Sequence, residues 1–356
     1  MDRGINQAAP THPADMRLSA WKNSLLTGGR RLLAGGSRLL AATILHLLPA
    51  ILLLPGGCAT GPRVSFVEGN HRIDVTADGT PFTSYLFGPE LTKPILFPLL
   101  SPSGTAVNRG FPIEPAEGES RDHPHHAGLF FTYDRVNGTG FWNNTTAPPR
   151  VRHTGVTALE GGGEKGTLSS TSCWAGKEGK ILLHEARTMV FRPGREATTI
   201  DFTIKLTADD GEVVFDDTKE GMFALRVASW LKEKGGTGRY LSCNGDESSK
   251  NVWGKRARWV LLEGEKDGLP IGVAILNHPE SENFPTYWHA RGYGLFAANP
   301  LGQSVFEKAQ NKDDANPYQL TLEPGESALF RFRVIVYEGR WTAKQLDRIF
   351  EEYSRS

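Results

Sequence analysis

The chain has 356 residues, with 40 Lys/Arg against 40 Asp/Glu and a net charge of zero. Six of the basic and two of the acidic residues precede Cys58, which leaves 34 basic and 38 acidic beyond it, a net of about −4. That balance offers no basic face for nucleic acid, and the length suffices for a large core in one all-β domain.

The first 57 residues read as a leader. Arg30, Arg31 and Arg38 precede an apolar run, 39–54, and Pro55-Gly56-Gly57-Cys58 follows. A basic region, an apolar region and small residues before a cut are the order of a secretory signal. A cysteine directly after two glycines resembles a bacterial lipoprotein cleavage box, with Cys58 as the lipidated first residue; a plain signal peptide is the alternative. The 16-residue apolar run is short of the ~20 that span a bilayer. The expected protein is exported, periplasmic or on the outer surface, and meets a membrane only through its lipid anchor.

Beyond the leader, a period of two dominates. Predicted strands are Ile73–Val75, Phe82–Phe87, Leu129–Tyr133, Ile181–Phe191, Ile200–Leu206, Gly221–Ala228, Ala257–Leu262, Ile271–Asn277, Tyr293–Ala298 and Phe330–Val336. Ile200, Phe202, Ile204 and Leu206 alternate with Asp201, Thr203 and Lys205, the mark of a half-buried antiparallel strand. Thr342 with Gln345 makes a capping box, and Leu346, Ile349, Phe350 and Tyr353 form the apolar stripe of a terminal helix. The expected architecture is all-β: residues 58–356 as one large antiparallel β-sandwich, supersandwich-like, with a C-terminal helix against the end or back of a sheet. Cys173 and Cys243 do not amount to a disulfide framework.

Chemistry concentrates in Asp122-His123-Pro124-His125-His126, three of the ten histidines. Pro124 fixes its own φ and biases His123 toward extended geometry, so the four polar side chains can converge on one cavity. Imidazole serves proton transfer near neutrality or metal ligation. Three readings stay open: His125 or His126 as a general acid or base; a metal held by His123, His125 and His126, completed by Asp122 or His289; and a hydrogen-bonded turn with one buried histidine. Otherwise no cofactor is expected. Lys219-Glu220, at a strand entry, pairs a carboxylate with a cation that holds it ionised. On an extended 287–291 segment, Tyr287, His289 and Arg291 share one face and Trp288 takes the other. His278 ends a strand, and Trp142 or Trp288 can stack on a sugar ring.

Several runs together resemble a bacterial family labelled PmoA-like after particulate methane oxygenase. They are Asp122–Leu129, Val136-Asn137-Gly138 with Phe141-Trp142, and Asp217–Gly221 with Arg226. Gly254–Ala257, Asn277-His278-Pro279 and Phe284–Arg291 complete the set, spanning roughly residues 65 to 340. The oxygenase label looks like a misnomer, because nothing after Cys58 could span a membrane as a helix. The resemblance implies an exported protein of polysaccharide-digesting bacteria, similar in class to galactose-mutarotase-like supersandwiches. Its expected ligand is a small molecule or oligosaccharide. His125, His126, Glu220 and His289 are the candidate catalytic residues. Asp122, His123, Trp142, Lys219, Arg226, His278, Tyr287, Trp288 and Arg291 are the candidate binding residues. The expected function is acid–base chemistry on a sugar, of epimerase, lyase or hydrolase type. A non-catalytic glycan-binding lipoprotein and a metal-dependent His-cluster enzyme are the alternatives.

Overall fold

Period-two alternation builds two large sheets. The computed structural model describes residues 61–144, 149–312 and 314–356, so the expected leader and Cys58 lie outside the described residues. In chain order the strands are β1 (Val64–Gly69), β2 (Arg72–Ala77), β3 (Thr80–Leu86), β4 (Ile95–Leu96), β5 (Leu129–Tyr133), β6 (Arg150–Glu160), β7 (Gly166–Ala175), β8 (Ile181–Arg192) and β9 (Ala197–Ala208). There follow β10 (Val213–Phe215), β11 (Gly221–Arg226), β12 (Arg239–Ser242), β13 (Trp259–Lys266), β14 (Leu269–Asn277), β15 (Tyr287–Ala290), β16 (Leu295–Asn299), β17 (Leu320–Leu322) and β18 (Ser327–Glu338). The helices are α1 (Ser248–Val252), α2 (Gln303–Ala309) and α3 (Ala343–Tyr353).

One eight-stranded sheet runs β1-β2-β3-β4-β5-β11-β16-β15 and the other β12-β13-β14-β18-β9-β8-β7-β6, with β10 and β17 as a separate ribbon. All recorded pairings are antiparallel; β9 and β18 match Ile204 with Phe330, Phe202 with Phe332 and Ile200 with Val334. These side chains point inward. Phe223 of the first sheet lies flat on Phe332 of the second at 4.5 Å, and its edge meets Phe202 at 4.9 Å. The buried faces thus interlock as a β-sandwich, as the alternation predicts.

The outer face of the second sheet is closed by α3, whose Leu346, Phe350 and Tyr353 pack on Trp259, Leu276, Ile335 and Tyr337. Its capping box forms as predicted: Thr342 accepts from the Gln345 backbone, and Gln345 accepts from the Thr342 N–H at 2.8 Å. Sequence alternation did not announce β6 or β7. On β7 the inward residues include Ser170 and Ser172, both buried, and β6 carries two register shifts, so neither shows a clean apolar alternation. Cys173 and Cys243 are both free.

Replacing Thr342 with Ala should lower the unfolding free energy by about 1 kcal/mol, measured by urea titration. An unchanged midpoint would show that the cap does not hold the helix.

Candidate active site

Among the described residues the first sheet carries no helix as long as α3; the short α1 and α2 meet it at β15. Register places one row of residues across its outer face: Ile95 pairs with Phe130, Phe130 with Ala224, Ala224 with Ala297, and Ala297 with His289. Two alanines therefore floor the middle, with Phe130 at one wall and His289 at the other. Three strand steps of about 5 Å put those walls roughly 15 Å apart.

At the Phe130 wall stands the histidine loop. The rings of Tyr293, His123, His126 and Phe130 stack in sequence, at 5.2, 4.9 and 6.1 Å. His125 meets His126 edge-on at 4.3 Å, and Trp142 meets His126 at 5.5 Å. His123 is not extended as Pro124 suggested. Its φ is +46°, in the left-handed region, because its carbonyl and its Nδ1 are both captured: Arg109 donates to the carbonyl at 3.0 Å, and Nδ1–H donates to Asp122 at 2.6 Å.

Two buried guanidiniums fix this loop. Arg226, on β11, donates to both Asp122 oxygens at 2.8 and 2.9 Å, approaches His126 Nδ1 at 3.3 Å, and lies 4.6 Å over the Tyr293 ring. Arg109 donates to Asp122 Oδ1 at 2.9 Å and to the carbonyls of Phe111, Ser120, Asp122, His123 and His126. Both arginines are only 2% exposed. Burial pushes the Asp122 carboxyl up, but hydrogen bonds from Ser120, Arg226 and His123 outweigh it and hold the group well below the usual carboxylate range. Burial lowers His125 to about 4, with Lys93 and His123 adding to the shift. His126 is depressed further by burial, His125 and Arg226. His126 Nδ1 accepts from a cation, which leaves the proton on Nε2, and that atom has no partner among the described residues.

At the other wall, His289 Nδ1 donates to the Lys219 carbonyl at 3.0 Å, between the rings of Trp253 and Phe306. Burial lowers it to about 3, aided by Arg291 and Lys219. Lys219 and Glu220 contact each other directly. Asp134 adjoins them, its backbone N–H donating to the Glu220 carbonyl at 2.9 Å; burial and then Glu220 raise its carboxyl. Tyr293 ties the two walls together. Burial raises its hydroxyl, Arg291 and Arg226 lower it, and Glu220 and Asp122 raise it.

The structure thus brings Asp122, His123, His125, His126, Lys219, Glu220, Arg226, His289 and Arg291 to one face; Trp142, expected to stack on a sugar, is instead a fully buried ring packed on His126 and Phe130. The walls of that face are too far apart for His126 and His289 to act on one atom. Tyr287 shares the face with His289 as expected, but its hydroxyl is taken by Glu307 at 2.9 Å and its ring by Arg256. His278 and Trp288 lie elsewhere. His278 is buried against Tyr353 of α3 at 4.9 Å, and Trp288 is core, its Nε1 donating to the Ala257 carbonyl. The described residues hold no group of three or more His, Cys, Asp or Glu side chains arranged to take a metal. Sequence reading missed Lys93, Arg109 and Tyr293. Only Tyr293 carried a signal, an aromatic between two glycines directly after Arg291.

A family model described as a family of unknown function, DUF6807, matches residues 72–351. The chain belongs to the DUF6807 family. The match spans the segments on which the PmoA-like resemblance rested, but the PmoA-like family itself is not shown. No curated protein matches the chain. Among solved structures, it overlaps a proposed aldose 1-epimerase from Klebsiella pneumoniae subsp. pneumoniae at 10% identity, TM-score 0.39, covering 82% of this chain and 86% of that one. A galactose mutarotase-like protein from Clostridium acetobutylicum overlaps at 9% identity, TM-score 0.38, covering 79% and 99%. The GH36 alpha-galactosidase AgaB from Geobacillus stearothermophilus overlaps at 9% identity, TM-score 0.34, covering 78% and 41%. Overlaps this loose assign no chemistry to this chain.

Two outcomes check these electrostatics. In ¹⁵N-edited spectra His289 should stay neutral, with the proton on Nδ1, from pH 7 down to about 4; an imidazolium signal at pH 6 would contradict the burial. Asp122 has a lowered folded pKa, so its contribution is present above the unfolded value of ~3.9 and is lost as pH falls below it. Asp122→Asn should therefore be less stable than the parent at pH 7, and the gap should narrow steadily from pH 4 toward pH 2 in urea titrations.

Proposed function

We propose that this outer face is the acid–base site of a carbohydrate-active enzyme. The observation that carries the reading is the half-buried phenol of Tyr293, set among Arg226, Arg291, Glu220 and Asp122 above the buried Ala224 and Ala297. Polyhydroxyl recognition calls for fixed donors and acceptors, which Arg291, Tyr293 and Glu220 offer beside the buried row of Phe130, Ala224 and Ala297. Glu220 is the carboxylate that takes or returns a proton, with Lys219 in direct contact. Partly exposed His125, kept neutral, is an acceptor rather than a charged acid. Arg291 and Tyr293 hold hydroxyls, and Arg226, 2% exposed, is locked with Asp122 as a structural ion pair rather than free to bind a ligand. With Asp122 so committed, epimerase-type or lyase-type proton transfer fits better than hydrolysis between two free carboxylates.

The cellular setting follows from the sequence alone: export through the leader and anchoring at Cys58, in the manner of the polysaccharide-digesting bacteria that the PmoA-like resemblance implies. A non-catalytic glycan-binding role is the second reading, favoured by the direct contact between Lys219 and Glu220. A metal shared by His123, His125 and His126 is a further alternative; it would have to use Nε2 of His123 and His126, because their Nδ1 atoms face Asp122 and Arg226.

The test is purified protein against neutral aldoses, oxidised sugars and glycosides, followed by NMR and by thermal melting. Turnover that falls 10²- to 10⁴-fold in Glu220→Gln, with sugar-induced melting shifts retained, is the expected result. Melting shifts without turnover would establish the binding role instead. Neither turnover nor any shift would overturn both.

A further inference from the structure

Most cations at the outer face of the first sheet are already committed. Arg109 and Arg226 share Asp122, Lys93 donates to the His125 carbonyl, and Lys219 contacts Glu220. Arg291 differs. It stands just past β15, exposed, and among the described residues its guanidinium forms no ion pair and donates no hydrogen bond. The carboxylate of Glu233 lies close by, 3.5 Å from where a Cβ on Gly292 would stand. It is taken up by Ser249, accepting from the backbone N–H at 3.0 and 3.1 Å and from the hydroxyl.

The guanidinium is nonetheless held in position. Its centre lies 5.9 Å from the Trp253 ring and 5.8 Å from the Tyr293 ring, so two aromatics flank it. The turn that carries it is closed by backbone bonds. Arg291 N–H donates to the Leu295 carbonyl at 2.8 Å, Gly294 N–H to the Arg291 carbonyl at 2.8 Å, and Lys234 N–H to the Gly292 carbonyl at 2.7 Å. Its charge also reaches the site. Burial lowers His289 and raises Tyr293, and on both the strongest neighbouring charge is Arg291. An open guanidinium fork therefore stands at the rim, between the His289 wall and Tyr293. A planar fork matches a carboxylate through two parallel N–H···O bonds, and such charged pairs are stronger than bonds to neutral hydroxyls. Aromatic packing and a braced turn reduce the ordering cost of forming them.

We propose that the sugar taken by this face carries a carboxylate, as a uronic acid does, and that Arg291 is the residue that selects it. The inference deepens the sugar-acting reading and rests on it. The experiment is titration of the full chain with glucuronate and galacturonate, against glucose, galactose and glucose 6-phosphate, followed by NMR. At least one uronate should bind roughly tenfold tighter than its neutral counterpart. Exposed Arg291→Gln should collapse that preference to about twofold or less, and Arg291→Lys, which keeps the charge without the fork, should restore part of it. Equal binding of acidic and neutral sugars, or a uronate preference that survives Arg291→Gln, would overturn the inference and leave the sugar-acting reading standing. Binding of glucose 6-phosphate but of neither uronate would assign the fork to a phosphorylated sugar and overturn the carboxylate. No binding of any of the five would overturn both.

Discussion

The site depends on one carboxylate held between two buried cations. Asp122 receives Arg109 and Arg226 together, and neither guanidinium could sit at 2% exposure without compensation. Arg226 belongs to the sheet and Arg109 to the loop that follows β4, so their shared anion joins a long irregular segment to a rigid strand. Arg109 spends its remaining donors on carbonyls of that same segment. The consequence is that the His123–His126 turn is set in place by backbone contacts, and its rings pack against Phe130 and Trp142.

This arrangement explains why His125 and His126 are held neutral. Burial against aromatics and proximity to Arg226 and Lys93 both disfavour imidazolium. A dense histidine motif suggests a charged proton donor or a metal cage, whereas here it forms a hydrogen-bonding and stacking wall. In the proposed reaction the proton goes instead to Glu220, which Lys219 contacts directly. The neutral His289 orients the backbone from which Lys219 projects.

Much of the fold was legible in the sequence because its alternation follows from geometry. Strands such as β9 and β18, apolar on one side and charged on the other, could pair only one way round, and the capping box at Thr342 was complete before any coordinates. Among the strands that escaped notice, β7 buries hydroxyls and β6 shifts register, whereas β4, β12 and β17 have four residues or fewer. The face-sharing of Tyr287 and His289 against Trp288 was readable from strand period alone. What spacing could not reveal was the partner of each polar group. Arg109 and Lys93 look like ordinary surface cations in sequence, and only long-range packing buries them. His278 sits beside a proline much as the active loop does, yet folding carries it to the opposite sheet under α3.

The most direct test is a double-mutant cycle on Asp122 and Arg226, reading unfolding free energy at pH 7 for Asp122→Asn, Arg226→Gln and the pair. If these two groups weld the loop to the sheet, the combined loss should fall short of the sum of the single losses by about 0.5–3 kcal/mol. Losses that simply add would mean that the histidine loop is held by something else, and that the proposed site lacks its frame.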